Sequence, residues 1–148
     1  MNTPPDYVIR DFVPGDDDPL VFDSWMKACT MSGDPRFRWP LEARKLHRAL
    51  IAELLRECPA KVAAHPEHAT VLYGWICGGL TDSGLQVLHM IFVRKGWREH
   101  GIGTALLKTL FPALGEREIY YTHRTQGARR MEKKLQGIWY PYLLQELI

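Results

Sequence analysis

The chain has 148 residues, of which 46% are hydrophobic and 24% charged, a length and composition for which one globular domain with a single core is expected rather than two. Nineteen basic against 17 acidic residues give a formal charge of +2, which excludes the polybasic field that drives non-specific nucleic-acid binding, so any anion site must be local. No stretch approaches the roughly 20 apolar residues that span a bilayer, and the opening MNTPPDYVIRDF has no basic segment followed by an apolar run, so neither membrane insertion nor a leader is expected.

Tyr7 to Val13 alternates apolar and polar residues up to Pro14-Gly15 and predicts an opening strand closed by a turn. Asp16, Asp17 and Asp18 before Pro19 mark a helix start, because proline's missing N–H costs nothing in the first turn. Leu20, Val21, Trp25, Met26 and Cys29 then recur at helical spacing, with Gly33 and Pro35 closing the segment. A second helix is predicted from Leu41 to Cys58, where Leu46, Leu50, Ile51, Leu54 and Leu55 form one apolar stripe, and Pro59 stops it. Three strands follow, over Lys61–Ala64, Thr70–Cys77 and Leu85–Val93, with turns at His65–His68 and from Gly78-Gly79 through Ser83-Gly84. The last two are apolar on both faces and belong in the middle of a covered sheet. Next come a helix over Gly101–Phe111, a strand over Glu118–Thr122, a short basic helix over Ala128–Leu135 and an extended piece around Tyr140–Leu144. The order is that of a mixed α/β layer fold. Cys29, Cys58 and Cys77 lie far apart in apolar surroundings and read as reduced core thiols, which points to a cytoplasmic location.

Seven residues, RKGWREH, separate Val93 from Gly101, so Arg98 through Thr104 form the loop and first turn of the next helix. The first backbone N–H groups of a helix have no internal partner, and the peptide dipoles leave partial positive charge there. Glycines let a ligand approach that backbone, and Arg98 adds a guanidinium, so the loop suits a phosphate or pyrophosphate; a tightly packed glycine turn with no ligand is the alternative. Two nucleotide motifs fail on the letters. A dinucleotide fingerprint needs a third glycine where Leu106 stands and a shorter spacing from the strand, and a P-loop needs a lysine that GIGTAL lacks.

The stretch VRKGWREHGIGTALL, residues 93–107, resembles the acetyl-CoA signature of the GCN5-related N-acetyltransferases (GNATs), R/Q-x-x-G-x-G/A after a strand ending in valine. The element order is similar to that family's over nearly the whole chain. The resemblance implies a single GNAT domain over residues 1–148, with a mixed, mostly antiparallel sheet splayed between strands 4 and 5 and about four flanking helices. It implies acetyl-CoA (CoA) as cofactor, with Ile91, Phe92 and Val93 contacting pantetheine through the main chain. The pyrophosphate would be held by Arg98, Glu99, His100, Gly101, Ile102, Gly103 and Thr104.

Acetyl transfer needs a base for the amine, a donor for the carbonyl oxygen and an acid for the thiolate. His89, four residues before Val93 on the fourth strand, is the candidate base, since imidazole titrates near neutral pH; the alternative is a histidine satisfied inside the sheet. The family pattern places an asparagine and a tyrosine where this chain has Thr125 and Glu132. A carboxylate is a poor donor to a thiolate unless its pKa is raised. Tyr120, Tyr121 and Tyr140 lie near in sequence, Tyr121 being carried as the catalytic candidate against a packing role for all three. In TMSGDPRFRWP, Arg36, Phe37, Arg38 and Trp39 are candidate contacts for an acidic or aromatic acceptor, or else an ordinary anchored loop.

The expected activity is N-acetyl transfer to an amine of a small-molecule or protein acceptor, with no nucleic-acid or membrane partner. The alternative is a catalytically weak or inactive GNAT-like binding or structural protein. VFDSWMKACTMSGD and VLHMIFVRKGWREHGIGTALL also resemble small phage and prophage acetyltransferase-like proteins. IWYPYLLQELI reads as the protein's own last strand or as a two-fold contact, so a monomer or a homodimer is expected.

Overall fold

The computed structural model describes residues 6–30, 40–123, 125, 128, 132 and 134–141. Its elements are β1 (Val8–Asp11), α1 (Asp18–Thr30), α2 (Leu41–Glu57), β2 (Ala60–Ala64), β3 (Leu72–Leu80), β4 (Gln86–Val93), a 3-10 turn (Lys95–Trp97), α3 (Ile102–Leu110), β5 (Ile119–Tyr121) and β6 (Gly137–Trp139). The six strands form one sheet in chain order. β1 to β4 are an antiparallel meander, whereas β4–β5 and β5–β6 are parallel. A parallel neighbour needs a crossover, and α3 supplies the one between β4 and β5. This is the mixed, single-domain α/β architecture expected from the sequence.

Each face of the sheet buries its own cluster. Val21 and Trp25 of α1 and Ile51 and Leu54 of α2 pack on Val62, Leu72, Trp75, Cys77 and Met90. Ile102, Leu106 and Leu107 of α3 pack on the opposite face, against Tyr73, Ile76, Leu88, Ile119 and Tyr121. This double cover explains why β3 and β4 are apolar on both sides. Cys58 and Cys77 are free thiols whose pKa is raised, chiefly by burial. No helix among the described residues is long and apolar enough to cross a membrane.

Three predicted boundaries change. Gly78 and Gly79 belong to β3 and not to the turn, which lies at Thr81–Gly84, where Gly84 has φ +87° and donates to the Thr81 carbonyl at 2.9 Å. A side chain at Gly78 would place Cβ 2.4 Å from the Val87 carbonyl oxygen, so this glycine permits close strand approach and not chain reversal. β6 begins at Gly137, ahead of the extended piece expected at Tyr140–Leu144, of which residues 142–144 lie outside the described residues. Three α-helices are described rather than about four; the basic helix expected at Ala128–Leu135 falls largely on residues outside the description, although Ala128 and Glu132 are helical.

The start of α1 is fixed by an ion pair. Asp17 is buried at 2% exposure and meets the Arg10 guanidinium in a fork, Nη1 to Oδ2 at 2.7 Å and Nη2 to Oδ1 at 2.9 Å. Asp17 Oδ2 also accepts from the Val13 N–H at 2.7 Å, and Arg10 Nη2 donates to the Ala69 carbonyl at 2.8 Å. One carboxylate thereby ties β1, the β2–β3 turn and the first turn of α1 together, and it raises the pKa of Arg10. Removing one partner leaves the other charge uncompensated. Asp17→Ala should therefore lower the unfolding free energy by about 3 kcal/mol, read from urea denaturation.

Imidazoles form another polar group in the core. His47 on α2 and His89 on β4 are buried, and His123 after β5 is partly so. Burial lowers His89 from its ordinary 6.5 to about 4. It lowers His123 to about 3, with smaller contributions from His47 and His89, and it lowers His47 too. With folded-state values below the unfolded one, the unfolded chain holds more protons between pH 6.5 and about 4, and stability falls as pH falls through that window. Urea midpoints should drop from pH 7 to pH 4, with His89 accounting for roughly 3 kcal/mol. His89→Gln, which cannot titrate, should flatten the slope by about one proton.

Candidate functional site

The site begins where β4 and β5 separate. They pair over Gln86–Ile119, Val87–Tyr120 and Leu88–Tyr121, and the Thr122 N–H donates to the Leu88 carbonyl at 3.1 Å. Beyond that point, among the described residues, β4 is paired with β3 alone. The β3–β4 register also slips there: Gly78 pairs with Leu88 but Cys77 pairs with Met90, so His89 is an extra residue, a β-bulge. A bulge re-aims side chains and reverses their alternation. Thus Leu88, Ile91 and Val93 belong to the α3 side, Met90 and Phe92 to the α1–α2 side.

The loop leaving β4 has the conformation of an anion cradle. Glu99 has φ +68° and Gly101 φ +83°, left-handed positions that turn successive N–H groups toward one concavity. Such a conformation costs a non-glycine residue about 1 kcal/mol, and strain of this kind is concentrated at ligand sites. Gly101 caps α3 without any side-chain hydrogen bond. The backbone N–H groups from Arg98 to Thr104 donate to no protein group among the described residues, and pairing resumes with Ala105 N–H to the Gly101 carbonyl at 3.0 Å. Arg98 spends its Nε on the Val93 carbonyl at 2.9 Å, locking the loop to the strand end and leaving the rest of an exposed guanidinium at the rim.

A cavity of about 700 Å³ joins this loop to the opposite face of the sheet. Its α3 half is walled by Ile91, Val93, Trp97 and the Arg98–Thr104 loop, with Lys134 and Leu135. Its α1 half is walled by Leu20, Asp23, Ser24, Lys27, Met90 and Phe92. Thr125 also lines the cavity, its Oγ1 accepting from the Ala128 N–H at 3.2 Å. Asp23 and Lys27 pair at 3.1 Å, both well exposed. Ser24 Oγ donates to the Leu20 carbonyl at 2.6 Å and accepts from Trp75 Nε1 at 2.7 Å.

Ile91, Phe92, Val93, Arg98, Glu99, Gly101, Ile102, Gly103 and Thr104 all line this one cavity, but His100 does not; its ring lies 6.4 Å from that of Trp97. The Val93 carbonyl is already taken by Arg98. Neither His89 nor Tyr121 lines the cavity. His89 is 1% exposed and, with a pKa of about 4, is neutral and weakly basic at pH 7; its Nε2 has no partner among the described residues. The Tyr121 hydroxyl is likewise buried and unpartnered, and its ring packs in the α3-side core. Arg36, Phe37, Arg38 and Trp39 lie outside the described residues. The α1 wall was missed in the sequence, although Leu20, Asp23, Ser24 and Lys27 recur at three- and four-residue steps beside the core stripe of Val21 and Trp25. Trp97 was missed as well, being one aromatic in a loop.

Comparison with known proteins agrees with this geometry. Residues 23–137 match the sequence profile described as the acetyltransferase (GNAT) family. A provisionally named acetyl transferase of Pyrococcus furiosus superposes with a TM-score of 0.57 at 22% identity, covering 87% of this chain and 91% of that one. The aminoglycoside N-acetyltransferase AAC(6')-Iy, solved in complex with CoA, superposes with a TM-score of 0.52 at 17% identity, covering 95% and 97%. At these identities the two structures are similar in fold. No protein of curated function matches the chain. With most of its length within the profile and a glycine turn at the mouth of a divided sheet, the chain belongs to the acetyltransferase (GNAT) family.

Proposed function

We propose that the protein is an acetyl-CoA-dependent N-acetyltransferase that acylates an amine of a small-molecule or protein acceptor. The observation that carries this reading is the row of unpartnered backbone N–H groups from Arg98 to Thr104 at the mouth of the fork. The fit to CoA is good on three counts. The helix end and left-handed loop offer N–H donors to a diphosphate, the Arg98 guanidinium stands beside them, and the cavity runs on along Ile91 and Phe92, whose strand edge has no β5 partner. The similar aminoglycoside N-acetyltransferase solved with CoA supports the same cofactor.

When bound, acetyl-CoA supplies an activated thioester to an attacking amine. Arg98, Glu99, Gly101, Ile102, Gly103 and Thr104 would hold the diphosphate, chiefly through main-chain N–H groups, and Ile91 and Phe92 would orient the arm along β4. The α1 half of the cavity takes the acceptor. Its charged groups, Asp23 and Lys27, cancel one another, so this wall selects by shape and paired polarity rather than by net charge. Residues 31–39 join α1 to α2, and Arg36, Phe37, Arg38 and Trp39 are the proposed further acceptor contacts. Neither His89 nor Tyr121 is given the proton-transfer role, since neither reaches the cavity.

One observation favours a second reading, cofactor binding with weak or no transfer: among the described residues the cavity is lined by no histidine and no tyrosine. Thioester consumption with a mixed panel of amines separates the two readings, since only an active enzyme exceeds background.

Calorimetry should show CoA binding to the wild-type protein; a folded sample that binds neither CoA nor acetyl-CoA would contradict the proposal. Gly103→Val tests the loop specifically. A Cβ at Gly103 meets Val93 Cγ2 at 3.7 Å and Ile91 Cδ1 at 3.9 Å, ordinary contact distances, so the fold should persist while the added methyls fill the cavity. CoA affinity should fall about tenfold or more, with unfolding free energy changed by less than about 1 kcal/mol.

A further inference from the structure

Outside the cavity, three side chains form a hydrogen-bonded chain across the apex of the fork. Thr122 occupies the last position at which β4 and β5 share a main-chain bond. Its Oγ1 lies 2.8 Å from His89 Nδ1 and 3.0 Å from His123 Nδ1. Thr122 is 4% exposed. The His123 ring is wedged edge-on between Trp25 of α1 and His47 of α2, with centroids 5.3 and 5.4 Å away. These groups come from β4, the segment just after β5, α1 and α2, so the chain links strand and helices at the apex of the fork.

Its chemistry is restrictive. A hydroxyl has one proton to donate and two lone pairs with which to accept, so Thr122 serves both imidazoles by donating to one Nδ1 and accepting an N–H from the other, or by accepting an N–H from both. In either case at least one of the two histidines carries a proton on Nδ1. The arrangement is directional and is lost if either ring turns over.

We propose that the His89–Thr122–His123 chain is the pin that fixes where the sheet divides, which makes Thr122 and His123 positioning residues for the cavity. Three residue pairs are a short seam for two parallel strands, and the bulge at His89 removes that residue from the β3 ladder as well. With neither neighbour holding it through the ladder, His89 is located by its side chain. The next residue along β4, Met90, already lines the cavity. On the other side Trp25 stacks on Trp75 at 5.2 Å, and Trp75 Nε1 holds Ser24 of the α1 wall. Both walls of the acceptor half are thereby referenced to one hydroxyl. The link to catalysis rests on the reading of the cavity as a CoA and acceptor site; the hydrogen-bond chain does not.

Two measurements test it. In long-range proton–nitrogen correlation spectra of the sequentially assigned full chain at neutral pH, at least one of His89 and His123 should carry its proton on Nδ1. Both rings protonated on Nε2 alone overturn the pin, since one hydroxyl proton cannot serve two bare Nδ1 atoms, and no variant is needed to see this. In the second, Thr122→Val keeps the shape and removes the bridge, whereas Thr122→Ser keeps the bridge. CoA titrations should show Kd raised about tenfold in T122V and within about twofold of wild type in T122S. An unchanged Kd in T122V, or equal weakening in both variants, overturns the positioning role. A wild-type protein that binds no CoA overturns the proposed function instead and leaves the tautomers to decide the pin; should T122V fail to fold, they decide it again.

Discussion

β4 can satisfy two strand neighbours for only part of its length. From Gln86 to Leu88 it pairs on both edges, and from Met90 onward among the described residues it pairs on one. An unpaired strand edge inside a protein is costly unless water or another group supplies partners, so the same geometry that opens the sheet leaves main-chain groups of β4 beside the cavity, where the proposed cofactor arm would pair with them. The other features of the site follow from this opening. α3 must start at its mouth to carry the chain over to β5, and that brings the positive end of a helix next to the exposed edge.

The two faces of the sheet then divide the work. The α3 side has the cradle, with its left-handed Glu99 and Gly101 and its row of free amides. The α1 side has a mixed wall in which a carboxylate and an ammonium are already paired. α1 itself is anchored at its start by Arg10 and Asp17. The α1 wall of the cavity therefore depends on a contact at the start of the helix, and the cradle depends on the Arg98 clamp at the end of β4.

Much of this was legible in the sequence because periodicity reports burial. The stripes of α1 and α2 and the two-sided apolar strands β3 and β4 announce a covered sheet, and the glycine spacing after Val93 announces the cradle. What could not be read was the bulge. Inserting one residue leaves an apolar strand looking apolar, so nothing marks His89 as the residue out of step, and its reading as a base came from its position in a linear count. Gly78 and Gly79 misled for a related reason: glycine signals either a turn or close strand approach, and only the proximity of the Val87 carbonyl distinguishes them. The α1 wall was hidden because polar residues beside a core stripe look like a solvated helix face until a cavity is seen above them.

Ser24 illustrates what such a wall contributes. The residue lines the cavity, yet its hydroxyl proton is committed to the Leu20 carbonyl and its oxygen already receives the Trp75 indole. An alcohol held at both ends is a poor nucleophile, since attack would require giving up a bond that nothing nearby replaces. On the proposed reading of the cavity as the seat of an acyl donor, the protein keeps this serine out of the reaction, so that self-modification at this position does not compete with the incoming amine.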